Sequence, residues 1–143
     1  MEIMFTGLLP EALMIDLPEV DAQHEEIFVR IESLKIACFE GDNPGAELFD
    51  DLLLFLGHHF ATEERIAQEA GLEFFLHAKM HHDSLYMLSK ALDEVRRGAC
   101  DVYSFLRYIE FWFERHIIEE DKPFGASLKS LCKDRSDKST GSL

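Results

Sequence analysis

Apolar residues recur along the chain at intervals of three and four positions, the spacing that places side chains on one face of an α-helix. Glycine and proline interrupt this pattern at GDNPG (41–45), AGLE (70–73) and RRGACD (96–101). Such residues commonly end helices, and segments of helical length lie between these breaks. No segment shows the alternation that is typical of strands. The pattern therefore predicts four α-helices.

Each predicted helix has an apolar stripe that can pack against the other helices. In chain order, the stripes are His24, Ile27, Ile31, Leu34 and Cys38; Leu48, Leu52, Phe55, His59, Glu63 and Ile66; His77, His81, Leu85, Leu88, Leu92 and Val95; and Val102, Phe105, Ile109, Trp112 and His116. Short connections make successive helices antiparallel. We therefore predict an all-α fold, an up-down-up-down antiparallel four-helix bundle.

The two ends of the chain lack this periodicity. Residues 1–20 predict an extended N-terminal arm that lies across the bundle, and residues 21–124 would form the bundle core. The end of the chain is polar and rich in small residues, which is typical of disorder. We expect one domain over residues 1–131 and a disordered polar tail over residues 132–143.

Composition limits the kinds of partner and the cellular compartment. The net charge of −14 argues against binding to nucleic acid or an anionic membrane, because phosphate surfaces attract basic residues. The chain shows neither a signal peptide nor an apolar stretch that could span a bilayer. Its cysteines, Cys38, Cys100 and Cys132, are widely spaced and odd in number, which favours free thiols. We expect a cytoplasmic protein with a small-molecule or protein partner.

Histidines on the apolar stripes are the strongest chemical signal. The histidines on these stripes are His24, His59, His77, His81 and His116. An unpaired buried imidazole costs roughly 1–3 kcal/mol, so each needs a partner. Glu63 follows His59 by four residues, and Asp121 follows His116 by five. Imidazoles and carboxylates that face inward from four helices predict a metal site, and two bridging carboxylates suggest two metal ions.

Each part of this pattern also has a simpler interpretation. His77 and His81 alone would more often be a surface pair, and His59 with Glu63 could be a buried hydrogen-bonded pair or an ion pair worth about 0.2–0.5 kcal/mol. The joint occurrence on four helices favours a metal. Asp121 fits least well, because five residues on an ideal helix turn it away from His116. We expect the helix to end near Asp121, before Pro123, where a loosened backbone lets the carboxylate swing inward.

Other metal sites fit these residues less well. The chain has no Glu-x-x-His pair of the kind that ferritin-like di-iron bundles use. HEEIF (24–28) lacks the second histidine of the His-Glu-x-x-His zinc motif. One tetrahedral zinc ion takes four ligands, fewer than this set provides.

Four motifs together resemble those of the hemerythrins, particularly the bacterial members. DAQHEEIF (21–28) is similar to the family's Asp-x-Gln-His, HFATEE (59–64) to its His-Phe-x-x-Glu-Glu, HAKMH (77–81) to its His-x3-His, and WFERHIIEED (112–121) to its Trp-x3-His-Ile-x3-Asp. Hemerythrins are four-helix bundles with a non-haem di-iron centre, bridged by an oxo or hydroxo group, that binds O2 reversibly.

The resemblance implies a role for each matching residue. His77, His81 and His116 would bind one iron. His24 and His59 would bind the other iron, and Glu63 and Asp121 would bridge the two. One position on the iron with two histidines would stay open for O2. The residues implied to form the O2 pocket are Ile27, Phe60, Trp112, Phe113 and Ile117.

An apolar pocket without an obvious acid or base retards water and protons, which favours O2 binding over catalysis. We expect a non-enzymatic protein that binds O2 for storage, delivery or sensing. One alternative is an O2-sensing or redox-sensing module that acts on an unidentified protein partner. Another is a di-iron oxidase or peroxidase, which would need a proton donor and a substrate channel.

Several residues depart from the family pattern or fall outside it. Asp16 stands near a position where the family commonly has glycine, so the arm departs from the family pattern there. His58 and His82 are each one residue off a stripe and should face outward or sideways. Asp101 should cap the fourth helix.

Overall fold

Four long helices form an antiparallel bundle in the computed structural model of this chain, which describes the backbone of residues 9–40 and 46–140 and the side chains of 9–40 and 47–131. The helices are α1 (Pro18–Phe39), α2 (Ala46–Ala70), α3 (Phe75–Arg96) and α4 (Val102–His116), and a π-helical segment (Ile117–Asp121) joins α4 to α5 (Lys122–Thr140). The described residues contain no strand. The predicted all-α bundle is confirmed.

The apolar stripes pack together along the bundle axis, largely as predicted. Leu48 is an exception, because its side chain is 52% exposed. Phe49 is buried in its place, with its ring 6.0 Å from that of Phe105. The buried face of α2 therefore begins one residue later than the sequence pattern indicated. No helix in the described residues combines the length and the apolar character that a membrane span requires.

The helix ends follow local chemistry. Gly71 has a φ of 71° and follows α2, and the amide of Leu72 then donates to the carbonyl of Ala67 at 2.9 Å, a common way to end a helix. At the start of α4, the side chain of Asp101 accepts a hydrogen bond from the Ser104 amide at 3.0 Å. The expected cap at Asp101 is confirmed. GDNPG (41–45) lies outside the described residues.

The prediction that the fourth helix ends near Asp121 is wrong. The helix continues as α5, and the π-helical segment accommodates Pro123. Proline has no amide proton and its ring would clash with the carbonyl of Glu119 in a regular α-helix. The amide of Lys122 instead bonds to the carbonyl of Ile117, five residues back. This wider turn brings residues five apart onto the same helix face.

The N-terminal arm lies beside α1 and α4, where Leu13 lines a crevice with Phe28 and Glu110, and it reaches the bundle end at which α1 and α3 begin. Leu9, Leu13 and Ile15 are buried, and the Ile15 amide donates to the Asp21 side chain at 2.9 Å. Asp16 has a φ of 61°, which aspartate tolerates better than most residues, so it takes the conformation for which glycine is usual. The arm is shorter than expected, because α1 begins at Pro18. Residues 1–8 lie outside the described residues.

The predicted disordered tail differs from the structure over most of its length. The backbone of residues 132–140 continues α5, because no glycine or proline lies between Gly125 and Gly141 to end the helix. Residues 141–143 lie outside the described residues. Together, α5 and the arm cover the end of the bundle at which α2 and α4 finish.

Replacing Gly125 with alanine should loosen the contact between α5 and the arm. A Cβ at this position would lie 2.9 Å from the Ile15 carbonyl oxygen, and such crowding costs on the order of 1–3 kcal/mol. The control is Gly57→Ala in α2, where the nearest atom would be 3.8 Å away and alanine should stabilise by about 0.5–1 kcal/mol. Urea unfolding measures both, and equal effects would contradict the close contact.

Candidate metal centre

All the residues predicted to bind metal lie together at the bundle end that the arm and α5 cover. Each bundle helix contributes at least one of them, and the π-helical segment contributes Asp121. His77 is partly buried, with 12% of its side chain exposed. The others are at most 5% exposed: His24, His59, Glu63, His81, His116 and Asp121.

Their ligand atoms form two adjacent groups, within each of which all atoms lie within 4.8 Å of one another. The first group contains His77, His81, His116 and Asp121, and the second contains His24, His59, Glu63 and Asp121. Asp121 therefore belongs to both. The same division into three and two histidines was implied by the motifs.

The Asp121 carboxylate points one oxygen at each group. Its Oδ1 lies 3.1 Å from Nε2 of His77 and 3.3 Å from Nε2 of His116. Its Oδ2 lies 3.0 Å from Nε2 of His24. The π-helical segment makes this possible, because it places Asp121 on the same helix face as His116. The carboxylate is thus oriented to bridge two cations.

Glu63 occupies a similar position between the groups. Its Oε1 lies 2.8 Å from Nε2 of His59 and 3.9 Å from Nε2 of His81. Its Oε2 lies 3.9 Å from Nε2 of His77. These atoms come from α2 and α3, which are neighbours in the bundle.

Several polar atoms at this centre are buried without a hydrogen-bond partner. They include both carboxylate oxygens of Glu63, Oδ2 of Asp121, and Nε2 of His81 and His116, none of which forms a well-directed hydrogen bond even where a neighbouring polar atom is close. Leaving such a group unsatisfied costs about 1–3 kcal/mol. A cation in each group would satisfy them, and a set of imidazoles and carboxylates without thiolate suits iron. The residues present therefore fit two metal ions.

The electrostatics of the centre also favour cations. Burial lowers the pKa of His59 well below its usual value, and burial beside His77 and His116 lowers the pKa of His81 to about 3. Both rings are therefore neutral at pH 7, with lone pairs available to a metal. Burial and the nearby Asp121 charge raise the pKa of Glu63 well above its ordinary range. Bound cations would reverse that shift.

Burial alone would raise the pKa of Asp121, but its contacts with His116, His24 and His77 hold it well below the ordinary value. Asp121 therefore carries its negative charge before any cation arrives.

Aromatic rings enclose the two groups. The Phe113 ring lies 5.3 Å from that of His24 and 6.0 Å from that of His59, beside the group with two histidines. Phe60 stacks on His81 at 3.9 Å, and Trp112 stacks on His116 at 5.3 Å. These two residues of the implied O2 pocket thus also contact the group with three histidines.

The remaining residues of the implied pocket are aliphatic, and Ile27 and Ile117 are both fully buried in the core. Trp112 is only partly buried. With His116, it lines a surface crevice of about 270 Å³ between α3 and α4.

His58 and His82 are both exposed, although their neighbours His59 and His81 are buried. The predicted helical phase is confirmed at both positions. In each pair, one histidine faces the centre and its neighbour faces solvent.

Sequence reasoning missed three residues that contact the histidines of the centre and a fourth that supports one of them. The amide oxygen of Gln23 lies 2.7 Å from Nδ1 of His59, and Thr62 contacts Gln23 in turn. Phe74 stacks on His77 at 4.2 Å, and the Phe124 ring lies 5.6 Å from the same histidine. Gln23 and Thr62 stand inside the DAQH and HFATEE motifs, so their place beside ligand candidates was the available signal.

Comparison with known proteins agrees with this geometry. Residues 16–126 match the family described as the hemerythrin HHE cation binding domain. The chain is also similar to bacteriohemerythrin of Methylococcus capsulatus, with 29% identity over 114 residues, which cover 77% of this chain and 86% of the relative. The matched segment includes the whole centre.

Proposed function

The chain belongs to the hemerythrin family, and we propose that it binds O2 reversibly at a di-iron centre, for storage or delivery. One observation carries this proposal: two groups of inward-facing imidazoles share a carboxylate, Asp121, inside an aromatic enclosure. The similarity to a protein named bacteriohemerythrin supports it.

The geometry supports a specific distribution of ligands. His77, His81 and His116 would hold one iron, and His24 and His59 would hold the other. Glu63 and Asp121 would bridge the ions, together with an oxo or hydroxo group. When bound, the two ferrous ions supply the electrons that hold O2. With both carboxylates shared, the iron held by His24 and His59 would have one protein ligand fewer than the other, so the open position would lie there.

The surrounding side chains decide whether O2 is released or consumed. Phe113 lies against both histidines of the second group and is fully buried, as are Ile27 and Ile117. These groups exclude water and offer no carboxyl, imidazole or ammonium group that could deliver a proton. Retarding protons protects a bound O2 molecule from reduction and loss, which favours release over turnover.

The visible spectrum of the reduced, iron-loaded protein tests this proposal. We expect a new absorption band when air is admitted, and its disappearance when O2 is removed under vacuum or argon. Several cycles should give nearly the same amplitude, because O2 leaves unchanged. Irreversible bleaching on first exposure, or steady O2 consumption with added reductant in an oxygen electrode, would contradict reversible binding and favour an oxidase.

A further inference from the structure

We propose that Gln23 and Thr62 are positioning residues for His59, and that their hydrogen bonds hold the proton of this imidazole on Nδ1 so that the Nε2 lone pair faces the metal. The inference rests on the proposed di-iron centre but not on O2 binding. It concerns residues that do not themselves belong to either ligand group.

Three hydrogen bonds in series link the His58 carbonyl to the His59 ring, and we call this series the relay. Thr62 Oγ1 donates to the backbone carbonyl of His58 at 3.1 Å. Gln23 Nε2 donates to Thr62 Oγ1 at 3.1 Å. Gln23 Oε1 lies 2.7 Å from Nδ1 of His59. Thr62 is 6% exposed and Gln23 is partly buried, so the relay lies at the edge of the contact between α1 and α2.

The direction of each bond follows from the one before it. A carbonyl can only accept, so the Thr62 hydroxyl must donate its single proton to His58 and can only accept from Gln23. The amide nitrogen of Gln23 therefore faces Thr62, and its oxygen faces His59. Because that oxygen can only accept, Nδ1 of His59 must carry a proton. In a neutral ring, Nε2 is then unprotonated.

The relay opposes a competing contact. Oε1 of Glu63 lies 2.8 Å from Nε2 of His59, where it would accept the ring proton if that proton were on Nε2. A proton on Nε2 would block the metal. The relay thus selects the tautomer that can bind iron, which the local carboxylate alone would disfavour.

His59 differs in this respect from the other histidine of its group. Nδ1 of His24 is buried without a hydrogen-bond partner. An imidazole that donates from one nitrogen is oriented more firmly and is a better electron donor through the other. We therefore expect the His59 ring to be held more firmly in its orientation than the His24 ring.

The ring proton can be located directly by NMR of the full chain, labelled with ¹⁵N-histidine and freed of metal. In the wild type, His59 should show a protonated Nδ1 and an unprotonated Nε2. Thr62→Val keeps the side-chain shape but removes the hydroxyl, which frees the Gln23 amide to turn. We expect this variant and Gln23→Leu to shift His59 towards the tautomer with a proton on Nε2.

Matched control variants distinguish the loss of these hydrogen bonds from a general loss of structure. Thr62→Ser keeps the hydroxyl and should keep the wild-type tautomer. Gln68→Leu makes the same change as Gln23→Leu at an exposed position of α2 and should have no effect. Gln23→Glu retains an acceptor for Nδ1 and should rescue the tautomer. Far-UV circular dichroism establishes that each metal-free variant is folded.

Iron release gives a second readout that does not depend on the metal-free fold. With a ferrous chelator in excess, the iron-loaded Thr62→Val and Gln23→Leu variants should lose iron roughly tenfold faster than the wild type, the usual scale for outer-sphere partners of a metal ligand. Thr62→Ser, Gln23→Glu and Gln68→Leu should stay close to the wild-type rate.

An unchanged tautomer in folded Thr62→Val and Gln23→Leu would overturn the relay, and so would unchanged iron release where the metal-free variants do not fold. Neither measurement uses O2. A protein with the expected tautomer and iron release but irreversible reaction with air would overturn the proposed function and leave the relay intact.

Discussion

Alanine at His59 should remove most of the bound iron, whereas alanine at His58, the preceding residue, should leave iron binding almost unchanged. Adjacent residues on a helix point about 100° apart. His59 is fully buried, and its Nε2 lies 2.8 Å from Oε1 of Glu63 and 3.1 Å from Nε2 of His24. His58 is exposed. The two substitutions remove the same side chain from opposite environments.

The same contrast holds on α3. His81 is 1% exposed and lies in the group with three histidines, whereas His82 is exposed. We expect His81→Ala to lose iron and His82→Ala to keep it. Because each pair is matched for residue type, the loss of a histidine as such cannot explain a difference within a pair.

Elemental analysis of protein produced with ample iron gives the measurement. The wild type, His58→Ala and His82→Ala should contain about two irons per chain, the number that this ligand set suits. His59→Ala and His81→Ala should contain clearly less and should lose reversible O2 binding. Equal losses within either pair would show that the ligand assignment on that helix is wrong. One zinc per chain and no iron would contradict the di-iron proposal itself.

The histidines could be placed from sequence because helical phase is a local property. The spacing of apolar residues on each helix already put His59 and His81 inward and their neighbours outward. Depth along the bundle followed from short connections, which bring the start of α3 beside the end of α2. These relations depend on regular 3.6-residue turns, and they hold wherever the helix is regular.

Asp121 shows where that reasoning fails. The sequence predicted that Asp121 reaches the centre, but it did not predict the backbone conformation that brings it there. The π-helical segment breaks the regular turn on which the phase argument depends. A proline two residues later was the visible signal. It was interpreted as a helix end, although a widened turn can also accommodate the missing amide proton.

Gln23 and Thr62 illustrate a second limit. Their contact joins α1 and α2 over 39 residues of sequence, and it depends on how those helices are rotated against each other. Periodicity gives the buried face of a helix but does not say which polar side chains at its edge will meet. The exposed Leu48 and buried Phe49 show a similar uncertainty of one residue at a helix end.

Removing the metal should lower the melting temperature by about 10 °C or more, since a tightly bound ligand of the folded state adds several kcal/mol of stability. The metal-free centre leaves both oxygens of Glu63 and Oδ2 of Asp121 buried without a hydrogen-bond partner. Calorimetry before and after chelation gives the shift. A metal-free protein that melts at the same temperature would contradict buried ligation.

Glu63→Gln should raise the melting temperature of the metal-free protein and lower that of the iron-loaded protein. In the metal-free protein, burial and Asp121 raise the pKa of Glu63 far above its ordinary 4.5, so folding above that pH requires the side chain to take up a proton. Glutamine is neutral and nearly the same shape, and it removes this requirement. The metal-free variant should therefore melt higher than the metal-free wild type.

This advantage should grow as the pH rises from about 4.5 towards neutral, because the unfolded glutamate loses its proton over that range while the folded one keeps it. With iron present the order should reverse, since glutamine cannot supply the negative charge or the two equivalent oxygens of a bridge. Glu94→Gln is the control, because Glu94 is exposed near the far end of α3, and it should change neither melting temperature much. If Glu63→Gln lowers the melting temperature of the metal-free protein at every pH, then Glu63 is already charged and satisfied there, and the proton uptake expected of the metal-free protein is wrong.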